Sequence, residues 1–474
     1  MKKSLFYAFS VLFTTLLIHY FSHIEYFRAN IEDPAFDLTN WFVFSKEEVD
    51  LHKPNTFLLL VDDKYLISKD LLDENNETKY GYIFPRNYLA DIINDIDTLV
   101  EDLDEENYPK ALFVDYDTSY VSDPHNKLMS KDDAKFLDIL KKQRPYIIYL
   151  PLTSNYNYIY HSKDKVIQEK IKNGKIRFVS TGLTSSSDGI SRRFYPYETY
   201  KDLQNEDRKF LHVAIELYNL QNPHNQLSAD DFSLDKQAFI ENRIIPKDMM
   251  LQEETPQYNY WQSKYKQLSA MSANYPLDNI YEESLQDAVL MIGAAHSSNS
   301  DTFEVDDYLR EVSGIEMQAN TLMTLEYFHG KLKQVPIYIE LIIVFSIVFS
   351  IALLTTTYFG AFFEKLEKKI ATIKNQTLKN FLEMLITDED NRVLFFATGV
   401  FLFISYMLLK VDGGSHYWFN WMIPLLAYMP YKFLVWFESK IFKSNKRGKN
   451  VKKFIDRKCI GQYFKCCKCK GKKG

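Results

Sequence analysis

Four stretches of the chain are continuously apolar, at 4–22, 336–363, 393–409 and 417–437. About 20 residues at roughly 1.5 Å each cross the hydrocarbon core of a bilayer, so each stretch is predicted to be a membrane-spanning helix. Between the first two stretches the pattern changes. The run 56–61 (TFLLLV) is short, apolar without alternation, and ends in Asp62 and Asp63; such a run suits a strand buried on both faces of a sheet. Over 88–103, Leu89, Ile92, Ile93, Ile96, Leu99, Val100 and Leu103 recur at spacings of three and four, which predicts an amphipathic helix. The alternation continues with a strand at 111–114 (ALFV) ending in Asp115 and Asp117, a helix at 131–141, and strands at 146–150 and 177–180. A further strand at 288–292 and a helix at 314–327 complete it. Strands alternating with helices imply an α/β domain, with a mostly parallel sheet covered by helices on both faces. Segment 222–278 is polar and broken by Pro223, Pro246, Pro256 and Pro276, and reads as an elaboration rather than a second core.

Charge adds an orientation to this pattern. Six Lys and Arg lie in 364–392, fourteen follow Phe437, and Lys2 and Lys3 precede the first span. Basic residues near span ends are retained in the cytoplasm, so 1–3, 364–392 and 438–474 are expected inside. The large domain 23–335 and the short hairpin 410–416 are then expected outside. The first span follows Met-Lys-Lys as a secretory signal would, but His23 to Phe27 supply no small-residue cleavage site; an uncleaved signal anchor is expected. The exported region 23–335 holds 53 Asp and Glu against 33 Lys and Arg, a formal charge of −20 that the overall −6 conceals. So acidic a surface argues against nucleic acid as a partner, because phosphate binding needs a positive field. All four cysteines fall in the tail, leaving none for disulfides in the exported domain, and a domain of that size can bury a core without them. Dense Lys, Asn, Ile, Phe and Tyr usage fits an AT-rich bacterial genome.

Several motifs together resemble a known family in their order. They are LLLVDDKYL with Asp62 and Asp63, FPRNYLADII with Pro85 and Arg86, and ALFVDYD with Asp115. Next come TGLTSSSDGISRRF with Asp188, Gly189, Arg192 and Arg193, and VLMIGAAHSSNSDTF with Gly293 and Asp301. Last is EVSGIEMQANTLMTLEYFHGK with Gly314, Glu316, Asn320 and Gly330. In this order the chain resembles the CHASE type 2 family, extracytoplasmic sensory domains found beside adenylate cyclases and histidine kinases. The resemblance covers roughly 55–437 and implies one span before the sensory domain and three after it. Segment 222–278 matches poorly. Where relatives usually carry an output module, only 37 residues follow Phe437, too few for an enzymatic domain. The resemblance therefore implies an input and membrane module that works through a separate protein.

Asp62, Asp63, Asp115 and Asp117 stand where predicted strands end, the edge at which open α/β sheets bind ligands. Carboxylates converging there can hold a cation or a polar ligand, while an Asp after a strand is also an ordinary turn former or helix cap. Arg86, Arg192 and Arg193 are their natural counterparts, as internal ion pairs or as anchors for an anion. With Asp188 and Asp301 these complete the candidate ligand-binding set. His296 stands near Ser297, Ser298, Ser300 and Asp301, yet no Gly-x-Ser-x-Gly elbow accompanies it, and a loop is the better reading. No Gly-rich phosphate loop is present, no cofactor is implied, and the chain is expected not to be an enzyme. Cys459, Cys466, Cys467 and Cys469 offer sulfur ligands, but their spacing fits a zinc site badly; the surrounding lysines suit anionic lipid headgroups. The expected partners are the lipid bilayer, a signalling or envelope protein, and a second copy of the chain in a homo-oligomer. A non-enzymatic envelope scaffold is the alternative to a sensor.

Overall fold

The computed structural model describes residues 56–80, 83–121, 130–185, 191–202, 205–232, 285–298, 301–304, 311–330, 337–357, 360–372 and 389–410. To these it adds short pieces at 5, 8–9, 11–16, 238–239, 266–269, 333–334, 376, 379 and 417–418. The chain forms two compact units, one from 40–333 and 410–417, the other from 1–39, 334–409 and 418–474.

The first unit is built on a six-stranded, wholly parallel sheet. Its strands, from one edge to the other, are β10 (Lys266–Ser269), β1 (Thr56–Val61), β11 (Val289–Ala294), β2 (Ala111–Asp115), β3 (Ile147–Pro151) and β4 (Ile176–Val179). Leu59 lies opposite Ile292, Ile292 opposite Val114, Leu112 opposite Ile148, and Ile148 opposite Ile176. Because side chains alternate across a strand, each run supplies two cores. Phe57, Leu59, Val61, Leu112, Val114, Ile148, Leu150, Leu290 and Ile292 pack on one face, with residues of the helices α1 (Asp63–Ser68), α2 (Arg86–Glu101), α3 (Lys131–Lys141) and α4 (Lys165–Lys172). Leu58, Ala111, Phe113, Tyr149, Val289 and Met291 pack on the other, with α5 (Val213–Gln221) and α6 (Gly314–Tyr327). Two buried faces explain why the runs do not alternate. Each fully buried Leu, Ile or Phe among them contributes about 1.5–3 kcal/mol.

Local signals place the helix starts. Ser130 and Asp133 form a capping box at the head of α3, Asp164 accepts from the backbone of Val166 and Ile167 at α4, and Glu316 accepts from the backbone N–H and the hydroxyl of Ser313 at α6. Such caps stabilise a helix by about 1 kcal/mol.

Smaller antiparallel elements lie beside the main sheet. They are β5 (Leu183–Ser185) with β6 (Ser191–Phe194) and β9 (Ala238–Phe239), the hairpin of β7 (Tyr197–Lys201) and β8 (Asp207–Leu211), and β12 (Thr302–Glu304) with β13 (Glu311–Ser313). One sequence expectation needs refining here. Segment 222–278 is more than an elaboration, because β10 adds an edge strand to the main sheet and β9 the third strand of a smaller one.

In the second unit, α7 (Ile337–Thr357), α8 (Gly360–Ala371) and α9 (Glu389–Lys410) are the long helices among the described residues. The Phe9 ring meets Phe345 edge-on at 5.3 Å, Phe363 meets Phe396 at 6.0 Å, and the Arg392 guanidinium lies 4.3 Å from the Phe363 ring. Helix α7 carries Glu340 as its one charged residue, and its described side chains run from Tyr338 to Leu354. Among the described residues no helix is long and apolar enough to cross a membrane. The stretch 417–437 lies outside the described residues apart from 417–418.

Candidate functional site

The carboxyl ends of β1, β11 and β2 lie side by side, because β11 sits between the other two. The chain leaving β11 returns over them. Asp63 accepts from the Ser297 backbone N–H at 2.9 Å and from the Ser297 hydroxyl at 3.1 Å, which pins this loop to the end of β1. Its neighbour Asp62 accepts from the Tyr65 backbone N–H at 2.9 Å and caps α1. Of the two acids that end β1, one thus shapes a helix start and the other holds a loop.

Asp115 and Asp301 come together from distant parts of the chain. Asp115 ends β2 opposite Gly293 of β11, and Asp301 lies against Gly314, the first residue of α6. A Cβ at Gly314 would stand 2.0 Å from Asp301 Oδ2, and a Cβ at Gly293 would stand 2.4 Å from the Ile315 Cβ. Two glycines thus let the head of α6 close onto β11 and the Asp301 carboxylate. The Gly314 N–H also donates to the Asp301 carbonyl at 2.9 Å. Burial pushes the Asp115 carboxyl well above the usual carboxylate range, and the negative charge of Asp301 pushes it further. Burial raises Asp301 as well. Asp301 is exposed and Asp115 half-buried, so burial acts more strongly on Asp115. The amino end of α6 works in the opposite sense, since its dipole favours a negative charge. A carboxyl shifted upward keeps its proton to a higher pH, and while it holds that proton it can donate a hydrogen bond as well as accept one.

Arg86 opens α2 and is only 1% exposed. Its Nη2 donates to the backbone carbonyl of Asp117, and its Nε has no hydrogen-bond partner. Burial lowers its affinity for a proton, while Tyr158, which shares a side-chain hydrogen bond with it, and the carboxylates of Asp133 and Asp117 restore part of it. The Asp117 side chain is occupied otherwise, accepting from the Ser119 backbone N–H at 2.8 Å and from the Thr153 hydroxyl at 2.7 Å. Of the other two candidate arginines, Arg193 is buried in β6 and Arg192 belongs to the same strand. Asp188 and the tail residues Cys459, Cys466, Cys467 and Cys469 lie outside the described residues.

His296 does not join a nucleophile to a carboxylate. Its Nδ1 lies 3.0 Å from the Ser298 hydroxyl and its Nε2 lies 3.4 Å from the Tyr80 hydroxyl; burial pushes its proton affinity down. Sequence reasoning missed the tyrosines of this edge. Tyr116 stacks on Phe84 at 4.8 Å and Tyr80 meets Phe84 edge-on at 5.3 Å, so an aromatic wall backs the acids. The signal was present in ALFVDYD, where Tyr116 alternates with Asp115 and Asp117. Among the described residues, no three His, Cys, Asp or Glu side chains gather as metal ligands would.

A parallel sheet clad on both faces, with its charged groups on the carboxyl edge, has the architecture of the α/β binding domains. The CHASE2 domain family model matches residues 10–356, and the chain belongs to that family. CHASE2 is a sensory domain of the extracellular type. No curated protein and no solved structure matches the chain.

Proposed function

We propose that the chain is the sensory input of a bacterial inner-membrane signalling system. The domain 23–335 lies outside the cytoplasm and takes its ligand at the carboxyl edge of the sheet. Four helices at 4–22, 336–363, 393–409 and 417–437 hold it in the membrane, and 364–392 passes the signal to a separate cytoplasmic or membrane protein. The observation that carries this reading is the CHASE2 match, which runs from within the first apolar stretch to the end of α7. Support for the membrane part comes from the sequence: the apolar stretch 336–363 carries Glu340 as its one charged residue and is long enough at about 1.5 Å per residue to cross a bilayer, and the basic residues fall on one side of the four stretches. In the sequence, Leu366, Ile370, Ile373, Leu378, Phe381, Leu382 and Leu385 recur along 364–392 at spacings that suit an apolar helix face for a partner.

Two measurements test the proposal. With the tail cysteines replaced by serine, a cysteine introduced at Glu101, which is exposed, should react with an impermeant maleimide in intact cells. Labelling only after the membrane is broken would overturn the orientation. A pull-down of the full chain in mild detergent should recover a kinase, a cyclase or another signalling protein, and should lose it when Leu366 and Ile373 become aspartate. Recovery of envelope proteins alone would favour a scaffold.

A further inference from the structure

Helix α6 is the last helix before the apolar stretch 336–363, so the contacts at its tail set how the chain leaves the domain. Asparagines of α5 and of the loop after it gather at that tail. Asn222 Nδ2 donates to Glu326 Oε1 at 2.7 Å and to the Tyr218 carbonyl at 3.0 Å. Asn225 Nδ2 donates to the Tyr218 hydroxyl at 2.8 Å and to the His329 carbonyl at 3.1 Å. Asn219 fixes the loop itself, donating to the Leu227 carbonyl at 2.7 Å and accepting from the Leu227 N–H at 2.6 Å. Directly beyond, the Gly330 N–H donates to the Leu325 carbonyl at 2.8 Å, and His329 and Gly330 both take a positive φ, of 48° and 128°. The tail of α6 therefore ends in a turn, and side-chain bonds from one neighbouring helix and its loop hold it.

One of these bonds depends on acidity. Glu326 is half-buried, and the group that meets it across the seam is a neutral amide. Burial pushes its carboxyl up to about 7, against which the Asn222 amide works in part. The other groups around it leave this titration to Glu326. Tyr218 faces it from α5 and is itself raised, by burial and then by the Glu326 charge, so it keeps its proton through neutrality. Strands β1 and β11 meet α6 with Leu58, Val289 and Met291. Glu304 of β12 and Glu311 of β13 lie toward the other end of the helix, as does Glu316, about 15 Å from Glu326 at 1.5 Å per residue. His224 and His329 are exposed. An ionised carboxylate at this seam loses part of its water without gaining a cation among the described residues, whereas the protonated form avoids that cost. The closed seam thus favours the protonated form.

We infer that Glu326 and Asn222 form a proton-operated latch between α6 and α5, closed when Glu326 is protonated and loosened when it ionises. Its use as an input rests on the sensory reading: acidity outside the cytoplasm then sets how firmly the last helix of the domain is held where it leads to the second apolar stretch. As pH rises through neutrality the carboxyl loses its proton, the buried charge works against the seam, and 222–228 and 324–330 open more often. As pH falls the proton returns and the latch closes.

Hydrogen exchange of the full chain in detergent tests the latch. Labelling at about pH 5 and about pH 8, with times scaled for the intrinsic effect of pH on exchange, should show the protection of 222–228 and 324–330 falling roughly tenfold or more at the higher pH. Protection of α3 should not change. In Glu326→Gln, which keeps the shape of the protonated carboxyl without its charge, both segments should stay protected at both values. No extra loss in the parent overturns the latch without any variant being needed. A loss that persists in Glu326→Gln belongs to other groups, such as His224 or His329, and overturns it equally. The pull-down, run at the same two values, reads the input role: the recovered partner should change in amount with pH for the parent and not for Glu326→Gln. Equal recovery overturns that role and leaves the latch standing, while recovery of no signalling protein counts against the sensory reading alone.

Discussion

Two buried arginines on the same face of the sheet show how differently one residue type can be used. Arg144 is satisfied on every side: its Nε and Nη2 each reach a carboxylate oxygen of Asp97 at 2.7 Å, and it also donates to the carbonyls of Ile139 and Lys142. The Tyr146 hydroxyl adds a third donor to Asp97. Arg86 is at least as deeply buried, yet it meets one backbone carbonyl and leaves Nε unmatched. A bidentate pair with all its hydrogen bonds made is scaffold. A guanidinium with no carboxylate paired to it in this bidentate way keeps part of its desolvation cost.

The comparison is broken most severely at Asp97. Asp97→Ala should cost about 3–5 kcal/mol, since it leaves the Arg144 charge buried without its partner; urea unfolding measures this, and a loss below about 1 kcal/mol would show that the pair is not structural. Next in size is Glu326, whose carboxyl burial pushes up to about 7 from an ordinary 4.5. The folded state then binds more protons than the unfolded one between those values, so stability is fullest below the ordinary value, falls as pH rises towards 7, and levels off above it. Glu326→Gln should therefore stabilise the domain at pH 8 by up to about 2–3 kcal/mol and make little difference at pH 4. Urea titrations of both proteins at several pH values give the difference directly.

Gly314→Ala should cost about 1–2 kcal/mol, as the added carbon forces Asp301 off the head of α6. The same change should bring the titration of Asp115 back towards the ordinary carboxylate range, read as a shift in the pH dependence of stability. Smaller still is Asp117→Ala, expected to cost about 1 kcal/mol through its bonds to Ser119 and Thr153. It should leave the Arg86 contact intact, because that contact uses the backbone. Thr118→Val completes the order, with a change within about 0.5 kcal/mol, because its buried hydroxyl has no hydrogen-bond partner to lose.

Burial decided what was legible in the sequence. The runs TFLLLV, ALFV and AVLMI are strands because both of their faces are covered, and α3 and α6 begin and end where their patterns and caps predict. The hairpin of β7 and β8 was not legible, since YETYK and DRKFL are mostly polar and only partly buried. Nor was the edge strand β10, whose residues KQLS carry no apolar run. At the candidate site, the acids that end β1 and β2 could be read from position alone. Their roles could not: Asp62 and Asp63 differ by one residue, but one faces the Tyr65 N–H and the other a loop more than 200 residues away. Arg86 was visible as a motif residue, whereas its contact with the Asp117 carbonyl joins positions 31 residues apart that no local pattern connects.

The place of β11 has a further consequence. It is the last strand of the main sheet to be synthesised, yet it fills the gap between β1 and β2 and pairs with both. Until residue 289 is available, the two earlier strands face an empty slot with unpaired backbone edges, the kind of surface that invites wrong pairing. Contacts this distant in sequence make for slow folding. The domain therefore cannot mature from its amino end as it is made, and its earlier part depends on protection until the closing strand is inserted.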